Sequence, residues 1–452
     1  MFVLFIQTDK MRLIYIFNGG YPMKHVKIGL LGIGNVAVGT FRTLQMNHSR
    51  IERSTGISID IIKILNRSPE KDRGISVAEG VYTQDPADIL DNPEIDIVVE
   101  LIGGIEPATE YMARALRNGK HVVTANKAAI AANGSMFQNL AVENNVMLRF
   151  EASVGGGIPI LGTLSNALLS NDFDEILGIV NGTTNYILTQ MTEYGLDYDD
   201  VLKDAQEKGF AERDPSGDVE GIDVANKLSI LMSIIFGLRV PPEDIPTQGI
   251  TSITKDDINF ATQFGYKIKL LATAKKKDGA VECHVQPALV PFDHPLASVS
   301  NEFNAIFVRG NAVDDLMFYG KGAGPLPTGS AVMGDVIEIA RAIDKGCAFD
   351  STPVLKEYDD VAYAGEGKNK YYLKLIVDDA PGVLGKISSA FGKYGISIAS
   401  MMQRPALRTP ESSVPLVFIL HEAERNVLDT ALEELGKQSY VSSVSSVIRV
   451  EE

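Results

Sequence analysis

The chain has 452 residues, of which 45% are hydrophobic, and this predicts about three domains with ordinary apolar cores. Its 42 basic and 58 acidic residues give a net charge of −16, which excludes the basic surface that nucleic acids and anionic membranes require. Cys283 and Cys347 cannot form a disulfide framework or a metal cluster, which is typical of a protein of the reducing cytoplasm. No apolar run reaches the roughly 20 residues of a membrane span.

Residues 1–22 have apolar patches broken by charges, without the small-residue cleavage site of a signal peptide. They are either a genuine extension or the product of a misassigned start, since Met23 stands just before the first convincing strand. Residues 24–150 then alternate apolar strands with helices, beginning with VKIGLLG and NVAVGTFRTLQM. This alternation predicts a dinucleotide-binding domain, an α/β fold with a doubly wound parallel sheet of Rossmann type.

The first strand runs into GIGNVA, which places Gly32, Gly34 and Ala37 in a GxGxxA pattern. Gly32 permits a tight turn, Gly34 lets the backbone approach a pyrophosphate, and Ala37 allows close packing of strand and helix. The amides of Asn35 and Val36 open the helix and can face the phosphates. The pattern predicts a cofactor site, and a plain glycine-rich turn is the alternative.

The second strand ends in KILNRSPEK, where an NAD site usually has an acidic residue for the ribose hydroxyl. Asn66, Arg67 and Ser68 stand there instead. The guanidinium of Arg67 could pair with a 2′-phosphate, which favours NADP. Use of NAD as well, or a surface role for Arg67, remains open.

Residues 151–320 are less regular and predict an inserted α+β domain, with helices around 183–193 and 219–236. After it, the glycine-rich segment GKGAG opens a helix at about 321–345. This helix is expected to pack back on the first domain and complete it.

The segment GFAERDPSGDVEGIDVANKLSIL crowds carboxylates ahead of one lysine, Lys227. Asp223 and Lys227 are four residues apart on a predicted helix, which by itself is typical of an exposed surface pair. From Val224 onward, however, Lys227 is the only charge before Arg239. A buried lysine is suited to carrying a proton, and a dehydrogenase needs a group that accepts or donates one.

Four segments together resemble the homoserine dehydrogenase family: VVTANKAAI, EASVGGGIPI, NGTTNYIL and EKGFAERDPSGDVEGIDVANK. They lie within residues 26 to about 345. The resemblance implies NAD(P)-dependent interconversion of L-homoserine and L-aspartate 4-semialdehyde, in the synthesis of threonine, methionine and isoleucine. It also implies a homodimer or homotetramer, with residues 151–320 as the substrate-binding, catalytic and dimerisation domain.

The resemblance implies that Lys227 is the acid/base and that Asp223 lies beside it. Glu212 and Asp218 would bind the amino-acid end of homoserine. Lys127 would lie near the nicotinamide and the substrate, although a solvent-facing lysine at a helix entry is the alternative.

Other positions follow from the same resemblance. Thr124 and Asn126 would line the cofactor, as would Gly322 in the glycine-rich segment. Thr183 would lie close to the substrate, and either Thr183 or Thr184 is expected to cap the helix that NGTTNYIL begins.

The EASVGGGIPI segment resembles a loop whose main-chain carbonyls hold a monovalent cation. The implied ligands of a sodium ion are the carbonyl oxygens of Glu151, Val154, Gly156 and Ile158. Three consecutive glycines would equally permit a tight substrate loop, so both alternatives stay open.

Residues 351–370 are polar and predict a linker, and residues 371–452 predict a ferredoxin-like βαββαβ unit. With DDAPGVLGKISSAFGKYGISI, this unit resembles an ACT domain, which implies allosteric inhibition by threonine. The alternative is a tail that only supports oligomerisation.

Two other functions remain open at this point. One is a non-catalytic amino-acid sensor that keeps the nucleotide fold, which the retained lysines and carboxylates disfavour. The other is a related dehydrogenase that acts on a different semialdehyde.

Overall fold

A computed structural model of the chain describes residues 23–68, 71–277, 279–346, 355, 361–364, 367–403 and 413–451. The expected extension at 1–22 and much of the expected linker at 351–370 lie outside these residues. Within the described ranges, no helix is long and apolar enough to cross a membrane.

The first domain is a six-stranded parallel sheet with the order β3-β2-β1-β4-β5-β6. Its strands are β1 (Lys24–Leu31), β2 (Ile57–Leu65), β3 (Tyr82–Thr83), β4 (Ile97–Glu100), β5 (His121–Thr124) and β6 (Leu148–Arg149). The helices between them are α1 (Asn35–Thr55), α2 (Ala87–Leu90), α3 (Ala108–Arg117) and α4 (Lys127–Glu143). The strand order reverses between β1 and β4, and ligands of such sheets bind at this point, beyond the carboxyl ends of the strands.

The second domain supplies a mixed sheet and the helices that face the first domain. Its elements in chain order are β7 (Phe173–Ile179), α5 (Gly182–Tyr194), α6 (Tyr198–Glu207), α7 (Ser216–Val219), α8 (Ile222–Ile235), α9 (Lys255–Gln263), β8 (Tyr266–Lys277), β9 (Ala280–Pro291), β10 (Phe303–Gly310) and β11 (Asp314–Lys321). The helix expected around 219–236 begins only at Ile222, because Gly221 has a left-handed φ of 87°. This break separates α7 from α8.

Helix α10 (Pro325–Lys345) returns to the first domain. Its apolar face, with Val332, Val336 and Ile339, packs with β1 and α1 in one core. The approach to α1 is close, because a Cβ on Gly39 would overlap the backbone of Pro325.

The last domain has the predicted βαββαβ order. Its elements are β13 (Asn369–Asp378), α11 (Val383–Lys393), β14 (Ile398–Gln403), β15 (Ser413–Ala423), α12 (Arg425–Gly436) and β16 (Val441–Val450), and the short strand β12 (Ala362–Tyr363) precedes them. The strands lie in the order β16-β13-β15-β14, and both helices pack on the sheet through a core of their own.

The last two domains share one ten-stranded sheet, because β16 pairs in parallel with β9 of the second domain. A buried ion pair joins the same domains: Lys374 Nζ of β13 lies 2.8 Å from Asp257 Oδ1 of α9, and their side chains are 5% and 0% exposed. Tyr372 of β13 also donates a hydrogen bond to Asp257, at 3.0 Å. The C-terminal domain is therefore joined to both the sheet and the helix layer of the second domain.

Candidate active site

A cleft of about 780 Å³ lies between the carboxyl edge of the first sheet and the second domain. Residues singled out in the sequence that line this cleft are Lys127, Gly156, Thr183, Glu212, Asp218, Asp223, Lys227 and Gly322. Distant parts of the chain thus meet in one cavity between two domains, which is a common position for a substrate site.

Lys227 lies on α8 and is only 9% exposed. Its Nζ donates hydrogen bonds to the Val180 carbonyl oxygen at 2.6 Å and to Asp223 Oδ2 at 2.7 Å. Asp223 and Lys227 are therefore neighbours on a helix as predicted, but the pair is buried and is not an exposed surface pair. Since an ammonium group has three N–H donors, these two bonds leave one for the cleft that Lys227 lines.

The carboxylate of Asp223 bridges two lysines, because its Oδ1 lies 2.9 Å from Lys127 Nζ while its Oδ2 accepts from Lys227. Burial disfavours the charged form of Asp223. The ammonium groups of Lys227 and Lys127, with a hydrogen bond from Asn181, outweigh burial and hold the pKa of Asp223 well below its ordinary value. Asp223 therefore stays ionised and fixes both lysines.

Lys127 begins α4 and its side chain is 41% exposed. The Asp223 carboxylate raises the pKa of Lys127, against the opposing effect of burial, and Asp218 and Glu212 act in the same direction as Asp223. Lys127 is therefore a stable cation on the wall of the cleft.

Asn181 organises the acidic residues and was not among the residues predicted from the sequence. Its Nδ2 donates to Asp218 Oδ1 at 2.7 Å and to Asp223 Oδ2 at 2.8 Å. Its Oδ1 accepts from the Thr184 backbone at 2.9 Å, so Asn181 caps α5. The expectation that Thr183 or Thr184 is the cap was wrong. The asparagine just before the helical residues was the available signal, since asparagine is a preferred N-cap.

The end of the cleft beside Asn181 is acidic. The Thr183 hydroxyl lies 2.7 Å from the Phe210 carbonyl oxygen and 3.0 Å from Asp218 Oδ2. Glu212 is exposed on the same wall. Two carboxylates that face one cavity can hold an ammonium group of a ligand.

Thr124 and Asn126 support the wall of the cleft, and Ala125 between them lines it. The Thr124 hydroxyl donates to Glu100 Oε2 at 2.6 Å and accepts from the Asn126 backbone at 2.9 Å. The Asn126 side chain accepts from the backbone of Ala129 and caps α4. Together these contacts fix the start of the helix that carries Lys127.

The loop after β1 has the geometry of a phosphate site. Gly32 has a φ of 99°, and a Cβ there would lie 3.0 Å from the Leu101 carbonyl oxygen, so a side chain is strained at this position. Helix α1 starts at Asn35 and continues through Val36, with Gly34 at the N-cap. In the described structure no side chain caps this helix and no acidic residue lies in its first turn, so its amides are available to an anion.

A second cleft of about 200 Å³ extends from this loop and is lined by Gly32, Gly34, Asn66, Arg67, Ser68 and Arg73, among others. Arg67 lines this cleft and is exposed. Arg73 also lines this cleft but was not predicted from the sequence, because it lies in the irregular chain after β2. Its buried Nε has no hydrogen-bond partner among the described residues, which fits a site for an anionic group.

The glycine loop after β6 offers main-chain oxygens. Gly155 and Gly156 have φ values of 73° and 54°. No hydrogen bond from the described residues reaches the carbonyl oxygens of Val154, Gly156 or Ile158. The described ranges hold no cluster of three or more His, Cys, Asp or Glu side chains that could bind a metal ion, so this loop could hold a hard cation only through its backbone.

The side chain of Glu151 stabilises this loop. Its carboxylate accepts hydrogen bonds from the Leu161 amide at 2.9 Å and the Gly162 amide at 2.6 Å. Burial raises the pKa of Glu151, and these amide donors oppose the increase. The Glu151 side chain is thus engaged within the protein, and only backbone oxygens of this segment are left without a partner among the described residues.

Comparison with known proteins gave three family matches along the chain: a homoserine dehydrogenase NAD-binding domain at residues 32–151, a homoserine dehydrogenase domain at 159–337, and an ACT domain at 371–439. A homoserine dehydrogenase of Synechocystis sp. is 41% identical, over 94% of this chain and 99% of its own. A crystal structure of a homoserine dehydrogenase from Thiobacillus denitrificans matches with a TM-score of 0.88 and 38% identity, over 95% of this chain and 99% of its own. A hyperthermophilic archaeal homoserine dehydrogenase in complex with NADPH matches with a TM-score of 0.60 and 30% identity, over 70% of this chain and 97% of its own.

Proposed function

The chain belongs to the homoserine dehydrogenase family, oxidoreductases that act on the CH–OH group of homoserine, and we propose that Lys227 is the acid/base of this member. The observation that carries this proposal is the buried ammonium of Lys227, fixed by Val180 and Asp223, with a third N–H for the cleft. When bound, the nicotinamide ring accepts hydride from the carbinol carbon or returns it to the aldehyde. In aldehyde reduction Lys227 donates a proton to the developing alkoxide, and in the reverse direction the neutral amine takes the hydroxyl proton.

The two ends of the cleft suit the two charged groups of the amino acid. Glu212 and Asp218 hold the ammonium group of the substrate, with Thr183 beside them. Lys127 attracts the carboxylate or the developing oxyanion, and Asp223 keeps Lys127 in position at 2.9 Å. This arrangement directs the reacting oxygen towards Lys227.

The first experiment is to measure nicotinamide absorbance with purified protein, L-homoserine, and NADP or NAD in parallel. Turnover of homoserine supports the proposal. Turnover only of another semialdehyde or alcohol would favour the related dehydrogenase. Nucleotide binding without turnover of any substrate would favour the sensor.

NADP is the preferred cofactor, and NAD is a second, weaker one. Gly32, Gly34 and the first turn of α1, at Asn35 and Val36, bind the pyrophosphate, and Gly322 contacts the nicotinamide end. Arg67 and Arg73 bind the 2′-phosphate, and the NADPH complex of the archaeal relative supports this choice.

The substitutions Arg67→Ala and Arg73→Ala test this cofactor preference. Each should raise the KM for NADP about ten-fold or more, since a hydrogen bond to a charged group contributes about 1.5–3 kcal/mol. The KM for NAD serves as the control and should hardly change. Equal increases for both cofactors would contradict the assignment.

The loop at 151–158 is the proposed site of a sodium ion. The ligands are the carbonyl oxygens of Glu151, Val154, Gly156 and Ile158. The carbonyl oxygens of Val154, Gly156 and Ile158 accept no hydrogen bond from the described residues, which supports the proposal. Replacing NaCl by choline chloride at equal ionic strength should lower the rate. An unchanged rate in sodium-free buffer would argue against the cation.

The ACT domain is the regulatory part of the chain, and L-threonine is its proposed effector. A cleft of about 310 Å³ lies where β13 leads into α11, lined by Asp378, Asp379, Gly382, Val383 and Gln403, among others. The amides at the start of α11 can bind the carboxylate of an amino acid, and the aspartates its ammonium group. Threonine should inhibit turnover, and Asp379→Asn should weaken that inhibition.

Light scattering would test the proposed homodimer or homotetramer.

A further inference from the structure

Asn304 of β10 is a buried amide that the reaction described so far does not use. It is 1% exposed, and neither its Nδ2 nor its Oδ1 has a hydrogen-bond partner among the described residues. Most buried polar side chains in proteins are paired, so an unpaired amide calls for an explanation such as a ligand.

Asn304 lines the same cleft as Lys127 and Lys227. It pairs with Gly320 of β11 and lies directly beneath Gly322, since a Cβ on Gly322 would overlap Asn304 Oδ1. The absence of a side chain at position 322 therefore makes the room that the Asn304 amide occupies. The amide therefore lies against the glycine loop at the wall of the cleft.

The neighbouring wall of the cleft belongs to the cofactor side. A Cβ on Gly156 would overlap the Gly322 carbonyl oxygen, so the two glycine loops touch. Ala152 and Ser153, which follow β6 of the dinucleotide-binding sheet, line the cleft with them. Asn304 thus lies where the second domain meets the carboxyl edge of the first sheet.

We propose that Asn304 binds the carboxamide group of the nicotinamide ring, an inference that rests on the proposed dehydrogenase function. An asparagine side chain has two donor hydrogens and an acceptor oxygen. A primary carboxamide matches both, because its oxygen accepts from Nδ2 and its amino group donates to Oδ1. Making these two bonds displaces no existing hydrogen bond of Asn304, because both of its side-chain polar atoms are unpaired among the described residues.

The other ligand groups fit Asn304 less well. The ammonium group of the substrate can be bound by Glu212 and Asp218, and its carboxylate can be attracted by Lys127. A neutral amide satisfies only part of its hydrogen-bonding capacity against either charged group, whereas a carboxamide uses its donor and its acceptor together. The paired amides fix the rotation of the ring, and so determine which face presents its hydride-accepting carbon to the substrate.

The test compares NADP with its 3-acetylpyridine analogue, in which a methyl ketone replaces the carboxamide. The analogue can accept a hydrogen bond from Nδ2 but has no amino group for Oδ1. We expect Asn304→Ala to lower kcat/KM at least about ten-fold with NADP, and clearly less with the analogue. The comparison uses the ratio of wild type to variant for each cofactor, so the different redox potential of the analogue cancels.

A loss by the same factor with both cofactors, or no loss with NADP, would overturn the inference. Binding of 2′,5′-ADP, which lacks the nicotinamide, should be unchanged and reports on folding. If Asn304→Ala does not fold, Asn304→Asp keeps the shape and removes the Nδ2 donor, so it should weaken NADP binding without affecting 2′,5′-ADP. Failure of the wild type to oxidise homoserine would instead contradict the proposed function, and the cofactor-binding comparison would still decide the role of Asn304.

Discussion

Replacing Lys227 by methionine separates the proton-transfer role of this residue from its structural role. Methionine is unbranched and of similar length, so it can fill the space of the buried lysine stem. The Asp223 carboxylate does not lose all its partners, because Lys127 remains at 2.9 Å and Asn181 at 2.8 Å. The structural losses are the donor to the Val180 carbonyl oxygen and one of the two ammonium groups beside Asp223, which together should cost about 3 kcal/mol of unfolding free energy.

The expected kinetic loss is a separate quantity, because it appears in the kcat of the folded protein and not in its unfolding free energy. A positioned general acid or base commonly contributes a rate factor of about 10² to 10⁴. At about 1.36 kcal/mol per factor of ten, the lower limit corresponds to about 2.7 kcal/mol of activation free energy. Lys227→Met should therefore lower kcat at least about a hundred-fold, measured by nicotinamide absorbance at saturating homoserine and cofactor.

Lys269→Met is the matched control. Lys269 is also a buried lysine of the second domain, 3% exposed, and its Nζ donates to Asn185 Oδ1 at 3.0 Å and to the Val299 carbonyl oxygen at 2.6 Å. The Lys269→Met variant loses a similar number of hydrogen bonds, but Lys269 does not line the cleft. Its turnover should therefore stay within a few-fold of wild type. The reasoning is refuted if Lys227→Met keeps kcat within about three-fold of wild type, or if both variants lose activity equally.

Three further predictions concern stability and coupling. Asp257→Asn removes the anionic partner of the buried Lys374, so thermal unfolding should show a loss of stability of about 3 kcal/mol or more. Threonine should also inhibit turnover less. An unchanged melting temperature would show that the ion pair does not stabilise the protein. Burial lowers the pKa of Lys269 from 10.5 to about 7. Between pH 7 and pH 10.5 the unfolded chain therefore binds more protons than the folded chain. The free energy of unfolding should rise with pH across this range, by at most about 1.4 kcal/mol per pH unit. Denaturant unfolding of Lys269→Met should show a flatter pH profile than wild type, and identical profiles would contradict the assignment. Gly32→Ala should cost about 1–3 kcal/mol and weaken nucleotide binding in a fluorescence titration, because φ at this position is 99°; unaltered affinity would show that the turn adapts.

The parts of the site that follow from local spacing could be predicted from the sequence. The turn at Gly32 follows from a strand, two glycines and a helix in succession, and α1 begins where that pattern places it. The proximity of Asp223 and Lys227 follows from their spacing of four on a helix. The burial of Lys227 follows from the apolar residues around it on α8.

The missed features depend on contacts between distant segments. Asn181 is important because Asp218 and Asp223 happen to fold against it, and nothing near position 181 indicates those partners. Arg73 joins the loop of Gly32 only through the irregular chain after β2. Asn304 occurs in a strand whose sequence gives no reason to single it out, and only the approach of Gly322 shows its isolation.

The pairing of β16 with β9 also has a consequence for shortened chains. The edge of β9 that accepts β16 carries backbone N–H and C=O groups, and Arg449 and Val450 lie opposite Ala288 and Leu289 there. A chain cut before residue 371 would present this edge to solvent, and an uncovered strand edge is a template for aggregation between molecules. A truncation intended only to abolish regulation would therefore yield a protein prone to self-association, unless charged residues or a proline were first placed along β9.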